Sequence, residues 1–301
     1  MIDKRSAPNA RRLLIHCTRA LLLLLAPLPS FAQQLKKNGI AIWELPTAKL
    51  DSVLSPVPDA ARLARLRQLF TGFGCTGDSL RAIAIDKKGH RHNLICTLAG
   101  QSPQQILVTT RYLNYGTYGA TTGGWPDALM LPVLYNALTA EPRHFTFVFA
   151  EFDGSDGAAH FFHSLRAANA PPPIALVELS GLGFSDPHFF TIPQALLPAK
   201  SRPTAAIVLD AAWNIAQLQG FGNDPGWQTL SQIYFPYGGA APPAVSGEPK
   251  DVPRVVLYST YGTTASVDAF QKDHDFAGFF LGALDTKLNS PSPSSQQTNQ
   301  H

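Results

Sequence analysis

Three nearly unbroken apolar runs constrain this chain more than any other feature: Gln105 to Thr110 (QILVTT), Phe145 to Phe149 (FTFVF) and Ile174 to Leu179 (IALVEL). A strand with one wet face alternates apolar and polar residues, whereas a strand covered on both faces has no need to. A helical pattern from Asp127 to about Leu138 separates the first run from the second, and another from Ala158 to Arg166 separates the second from the third. Strand, helix, strand, helix, strand at this spacing predicts a three-layer α/β/α sandwich around a mixed, mainly parallel sheet.

The remaining segments fit around that centre. Asp59 to Phe70 follows Pro58 with apolar residues at helical spacing and an acid in its first turn, so it predicts a helix. Leu80 to Ile85 and His92 to Leu98, separated by Lys87-Lys88-Gly89, predict an edge hairpin. Ala205 to Asp210 and Arg254 to Ser259 read as further strands. Val267 to Leu288 reads as a terminal helix, with Asp273-His274-Asp275 on its solvated side. Gly220 to Asp251, rich in Gly, Pro and aromatics, reads as a long excursion over the carboxyl edge of the sheet.

The first 32 residues read as a secretory signal. Lys4, Arg5, Arg11, Arg12 and Arg19 form a basic start, Ala20 to Ala26 is a short leucine run, and Ser30 and Ala32 are the small residues a signal peptidase reads. The run is too short to span a bilayer and no second one follows; an uncleaved anchor is the rival reading. Five cations and Asp3 give this segment a charge of +4, so the whole chain's +3 becomes −1 once it is removed. The basic balance therefore belongs to the signal, and neither nucleic acid nor an anionic membrane is expected as a partner. Residues 33–288 are expected to form one domain. Residues 289–301, rich in Ser, Pro, Gln and Asn without apolar residues, are expected to be a disordered tail. Cys75 and Cys96 remain after cleavage; an even pair in an oxidising compartment favours a disulfide, with two buried thiols as the alternative.

Most catalytic signatures are missing. Gly183-Phe184-Ser185-Asp186 breaks a G-x-S-x-G elbow, and no phosphate-binding or dinucleotide loop occurs. His160 and His163 lie three apart on a predicted helix beside Asp153 and Asp156, a spacing that suits a metal but lacks a third His or a Cys nearby. Asp153-Gly154-Ser155-Asp156-Gly157 has the oxygens and glycines of a calcium loop, without its closing glutamate, and reads as a strand-to-helix turn.

The succession NLICTLAG, QILVTTRY, GATTGGWPDALMLPVLYNAL, FTFVFAEFDGSDGAAHFF and ALVELSGLG resembles metallopeptidase family 28, the di-zinc aminopeptidase and glutaminyl cyclase superfamily. The resemblance covers Leu66 to about Gly183, and Val252 to Leu288 more weakly. It implies zinc held by His and carboxylates at strand ends, with a glutamate as base. Taken position by position, it implies that little of this remains. The first histidine falls on Arg111, whose permanent charge repels a dication. The bridging aspartate falls on Gly123, with Asp127 one helical step beyond. The base falls on Ser155, a hydroxyl that cannot take a proton from water near neutral pH. The next ligand falls on Asp156, one methylene shorter than glutamate, and the following one on Glu178. The distal histidine falls among Tyr261-Gly262-Thr263-Thr264.

Asp156 and Glu178 are thus vestigial metal positions, with an Arg111–Glu178 ion pair expected in place of the cation and Asp156 expected beside it. No zinc or other cofactor is expected. The resemblance implies an exported pseudoenzyme whose strand-end cleft takes peptide or protein. The competing class is a hydrolase with a site rebuilt from Asp127, Asp156, Glu178 and a histidine from elsewhere. A third is a structural protein without a cleft function.

Overall fold

The computed structural model describes residues 33–113, 124–192, 194–224, 246–259 and 265–290. The chain enters through a two-stranded ribbon, β1 (Gln34–Lys37) and β2 (Ile40–Trp43), absent from the sequence reading. Its turn is Asn38-Gly39, both at positive φ, the geometry that matches the right-handed twist of paired strands. The short α1 (Leu50–Leu54) and α2 (Asp59–Gly72) follow. Then come the hairpin β3 (Leu80–Ala84) and β4 (His92–Leu98), β5 (Ser102–Leu113), α3 (Trp125–Leu138), β6 (Phe145–Asp153), α4 (Gly154–Ala167), β7 (Ala175–Ser180) and β8 (Pro187–Thr191). The chain continues through α5 (Arg202–Leu218), β9 (Arg254–Ser259) and α6 (Val267–Asn289).

The seven strands of the main sheet lie in the order β3-β4-β6-β5-β7-β9-β8. The central four, β6, β5, β7 and β9, run parallel, and β4 and β8 close the two sides antiparallel. Alternation along each strand divides the core in two. Ile106, Val108, Phe147, Phe149, Val177 and Leu257 face α2, α3, α5 and α6. Leu107, Val148, Ala150 and Leu176 face Ala158, Phe161 and Phe162 of α4. The predicted sandwich is therefore observed, with α3 buried along nearly its whole length because it lies within the thicker layer.

Three sequence readings are corrected. Ala205 to Asp210 belongs to helix α5, not to a strand: Ala205, Val208, Ala211, Ala212, Ile215 and Ala216 bury one helical face, and a short apolar run does not by itself distinguish the two periods. β8 was not anticipated; it is an edge strand opening on a proline, the position that tolerates one. Asp273 and His274 are not solvated but about 1% exposed, because α6 is packed along the sheet through both its central turns and its end. That packing is close. A Cβ at Gly282 would lie 2.4 Å from Ile40, and the Asp285 carboxylate accepts the backbone N–H groups of His144 and Phe145 at 2.8–3.1 Å. Gly123, residues 261–264, most of the 220–251 excursion, the signal segment and the tail lie outside the described residues.

Cys75, just beyond α2, and Cys96 in β4 are bonded, with Cα atoms 6.3 Å apart and both side chains buried. The bridge ties the helical layer to the antiparallel edge across 21 residues. A loop of that length contributes about 3 kcal/mol in the chain-entropy account. Replacing both cysteines with alanine should lower unfolding stability by about that amount, measured by urea denaturation. An unchanged midpoint would show that the bond adds nothing.

Candidate functional site

The sheet's α4 face carries a line of alternating charge. β5, β7 and β9 lie side by side, with Thr109 opposite Glu178 and Arg254 opposite Leu176. Residues two apart share a face, so Arg254, Glu178 and Arg111 rise in that order toward the carboxyl end of the sheet. Glu178 Oε2 accepts from Arg254 Nη2 below it, and Glu178 Oε1 lies 3.8 Å from Arg111 Nη2 above it. Arg254 Nε lies 3.5 Å from Glu248 Oε1 on the loop leading into β9. The order is Glu248, Arg254, Glu178, Arg111. The first three side chains are largely buried, and Arg111 is 29% exposed.

Asp156 does not join this line. It sits in the first turn of α4, 81% exposed, and its carboxylate meets Arg91 Nη1 at 3.2 Å. Arg91 also donates to Asp153 Oδ1, from Nε at 3.2 Å and from Nη2 at 2.9 Å. The reason is positional: β6 lies between β4 and β5, and Arg91, just before β4, reaches its end from the side opposite Arg111. The structure thus brings Arg111 to Glu178 and takes Asp156 to Arg91. Ser155 is exposed in the same turn.

His163 is also committed. Arg166 Nη2 lies 2.7 Å from its Nδ1, and Ser246 Oγ lies 3.2 Å from its Nε2. A guanidinium only donates, so Nδ1 accepts and Nε2 carries the hydrogen that faces the serine. This pair cannot serve as nucleophile and base. His160 is exposed and joins no ligand set among the described residues.

The opposite face holds acids that the sequence reading did not bring together. Asp127, in the first turn of α3, accepts the backbone N–H groups of Gly181 and Leu182 at 2.8 and 2.6 Å. Asp273 on α6 accepts the N–H of Gly183 at 2.5 Å and the hydroxyl of Ser259 at 2.8 Å. Two carboxyls from two helices thereby hold three consecutive amides of the turn after β7. Glu151 in β6 is completely buried, and among the described residues neither of its oxygens is hydrogen-bonded and Asp273 Oδ1 is likewise unpaired. Burial pushes Asp127 up to about 6 and Asp273 up to about 8; it pushes Glu151 well above the ordinary carboxyl range, with the Asp127 charge adding to the effect. Sequence offered one signal for this cluster, the lone acid in the apolar run FTFVFAEF.

The donors among the described residues do not fit a zinc pair. Among the described residues no group of three or more His, Cys, Asp or Glu converges to hold a metal ion. Glu178 is enclosed by two guanidinium groups, and both oxygens of Asp127 are taken by backbone amides.

The mixed seven-stranded sheet between helical layers is an α/β fold of the aminopeptidase-like kind. Solved structures bear out that class. A glutaminyl cyclase of Fimbriiglobus ruber superposes with a TM-score of 0.54 over 83% of this chain and 99% of its own, at 12% identity. A Zn-dependent exopeptidase of Parabacteroides distasonis gives 0.50 over 81% and 97%, at 15% identity. A glutaminyl cyclase of Porphyromonas gingivalis gives 0.51 over 78% and 91%, also at 15%. The shared property is the fold. No protein-family model and no curated protein matches the sequence.

Proposed function

We propose that this chain is an exported, non-catalytic relative of the zinc exopeptidases that binds peptide or protein at the carboxyl end of its sheet. One observation carries the reading: Glu178, the best-kept acidic position of the resemblance, is held between Arg254 and Arg111. A carboxylate already neutralised by guanidinium groups has no charge left for a dication, and Arg111 adds repulsion where a ligand would be needed. Ser155, at the place of the base, cannot accept a proton from water near neutral pH. The disulfide supports export, since such bonds persist in oxidising compartments. Export is tested by sequencing the mature N-terminus, which should begin at Gln33.

Purified mature protein assayed on aminoacyl anilides with added zinc should show no turnover above a blank. Turnover abolished by a chelator and lost in Glu178→Ala would overturn this and favour a rebuilt hydrolase site.

A further inference from the structure

The polar groups at the carboxyl end of the sheet can be divided by what their hydrogen-bonding capacity is already spent on. Both oxygens of Asp127 are taken by Gly181 and Leu182, and Asp153 by Arg91. Glu151 and Asp273 are sealed from solvent. Asp156 is exposed but shares Arg91. Arg111 differs from all of them. It has five N–H donors, and among the described residues it makes no hydrogen bond and a single charge contact, the long 3.8 Å approach to Glu178. It is short of a partner because Glu178 is already engaged from below by Arg254, which also meets Glu248.

The buried line of alternating charge therefore ends, at its exposed end, on a cation, and the next charge that continues the alternation is negative. The small recess below Arg111 sets the apolar Phe152, Ala158, Phe162 and Leu176 beside the carboxylates of Glu178 and Glu248, and holds no more than about one water-sized group. A planar guanidinium at the open end of this line suits a carboxylate, because the fork geometry makes two parallel hydrogen bonds. Glu178 and Glu248 beside this position disfavour a doubly charged anion.

We propose that Arg111 binds the carboxylate of the ligand, so that this site recognises an acid end rather than an amino end. The assignment rests on the peptide-binding reading only for the source of that carboxylate, a peptide C-terminus or a small free acid. Calorimetric titration of the mature protein with N-acetyl-trialanine, its C-terminal amide and propionate separates the cases. N-acetyl-trialanine should bind about tenfold or more tighter than its amide, Arg111→Lys should lose about tenfold, and Arg111→Met should lose detectable binding. Unchanged melting of both variants would show that the loss is local. Equal binding of acid and amide, unaffected by Arg111→Met, overturns the carboxylate role and leaves peptide binding standing. Binding of propionate alone, lost in Arg111→Met, upholds Arg111 and overturns the peptide. If no probe binds, both readings fall.

Discussion

Arg254→Met should destabilise the protein by roughly 3–5 kcal/mol, the range for removing one partner of a buried ion pair. The cost comes from what stays behind. Glu178 and Glu248 both lie against Arg254, and both are mostly buried. Without it, Glu178 retains among the described residues only the 3.8 Å contact with Arg111, and two acids share one face. Arg111→Met removes a partly exposed group from a long contact and should cost less than about 1 kcal/mol. The difference between the two is the useful quantity. Glu178→Gln combined with Arg254→Met removes one charge of each sign and should recover part of the loss, giving a coupling energy in a double-mutant cycle. If Arg254→Met unfolds at the same urea concentration as Arg111→Met, Glu178 is not held as described here.

How far the sequence alone reached follows from which interactions are local. The strands β5, β6 and β7 were legible because burial on both faces leaves an apolar run within one segment. The helices α2, α3, α4 and α6 were legible from their period. The resemblance indicated the fold, and the structural likenesses agree with it. Ala205 to Asp210 misled because AAIVL suits either period; what decides is Pro203 in the first turn and the packing of α5 against α6, and that packing is a tertiary fact. The charged groups were harder still. Arg254 and Glu178 are 76 residues apart, and Asp127 and Gly181 are 54 apart. No spacing rule links such pairs; only the strand order places β9 beside β7, and α3 beneath the turn that follows it. Asp156 was misplaced for the same reason, since its partner Arg91 sits just before β4, a strand whose place beside β6 the sequence does not state.

Glu151→Gln should leave stability nearly unchanged at pH 4.5 and raise it clearly at pH 8, measured by urea denaturation at both. Glu151, Asp127 and Asp273 all have carboxyl pKa values in the fold above those in the unfolded chain, because burial penalises the charged form. Between the two values the folded protein holds a proton that the unfolded chain has released. Stability is therefore full below the ordinary carboxyl range and falls as pH rises through the window. For Asp127 the window runs from 3.8 to about 6, and at about 1.4 kcal/mol per pH unit this group alone removes about 3 kcal/mol. For Asp273 it extends to about 8. Asp127 and Asp273 at least receive backbone N–H bonds, which favour ionisation; Glu151, buried and without a hydrogen bond among the described residues, has nothing to offset the burial that opposes its ionisation. The amide is neutral in both states and escapes the penalty, whereas at pH 4.5 the protonated acid and the amide are close equivalents. Glu151→Leu goes further, because it also removes two buried polar atoms without partners, and should exceed the wild type at pH 4.5 by about 1–2 kcal/mol. If Glu151→Gln is the less stable protein at pH 8, the Glu151 carboxylate has a partner there and the acid cluster is not the source of the pH dependence. If it is the more stable, the chain retains at the centre of its sheet a residue that lowers its stability across the neutral range, and the reason for keeping it lies in what the strand-end face does and not in how it folds.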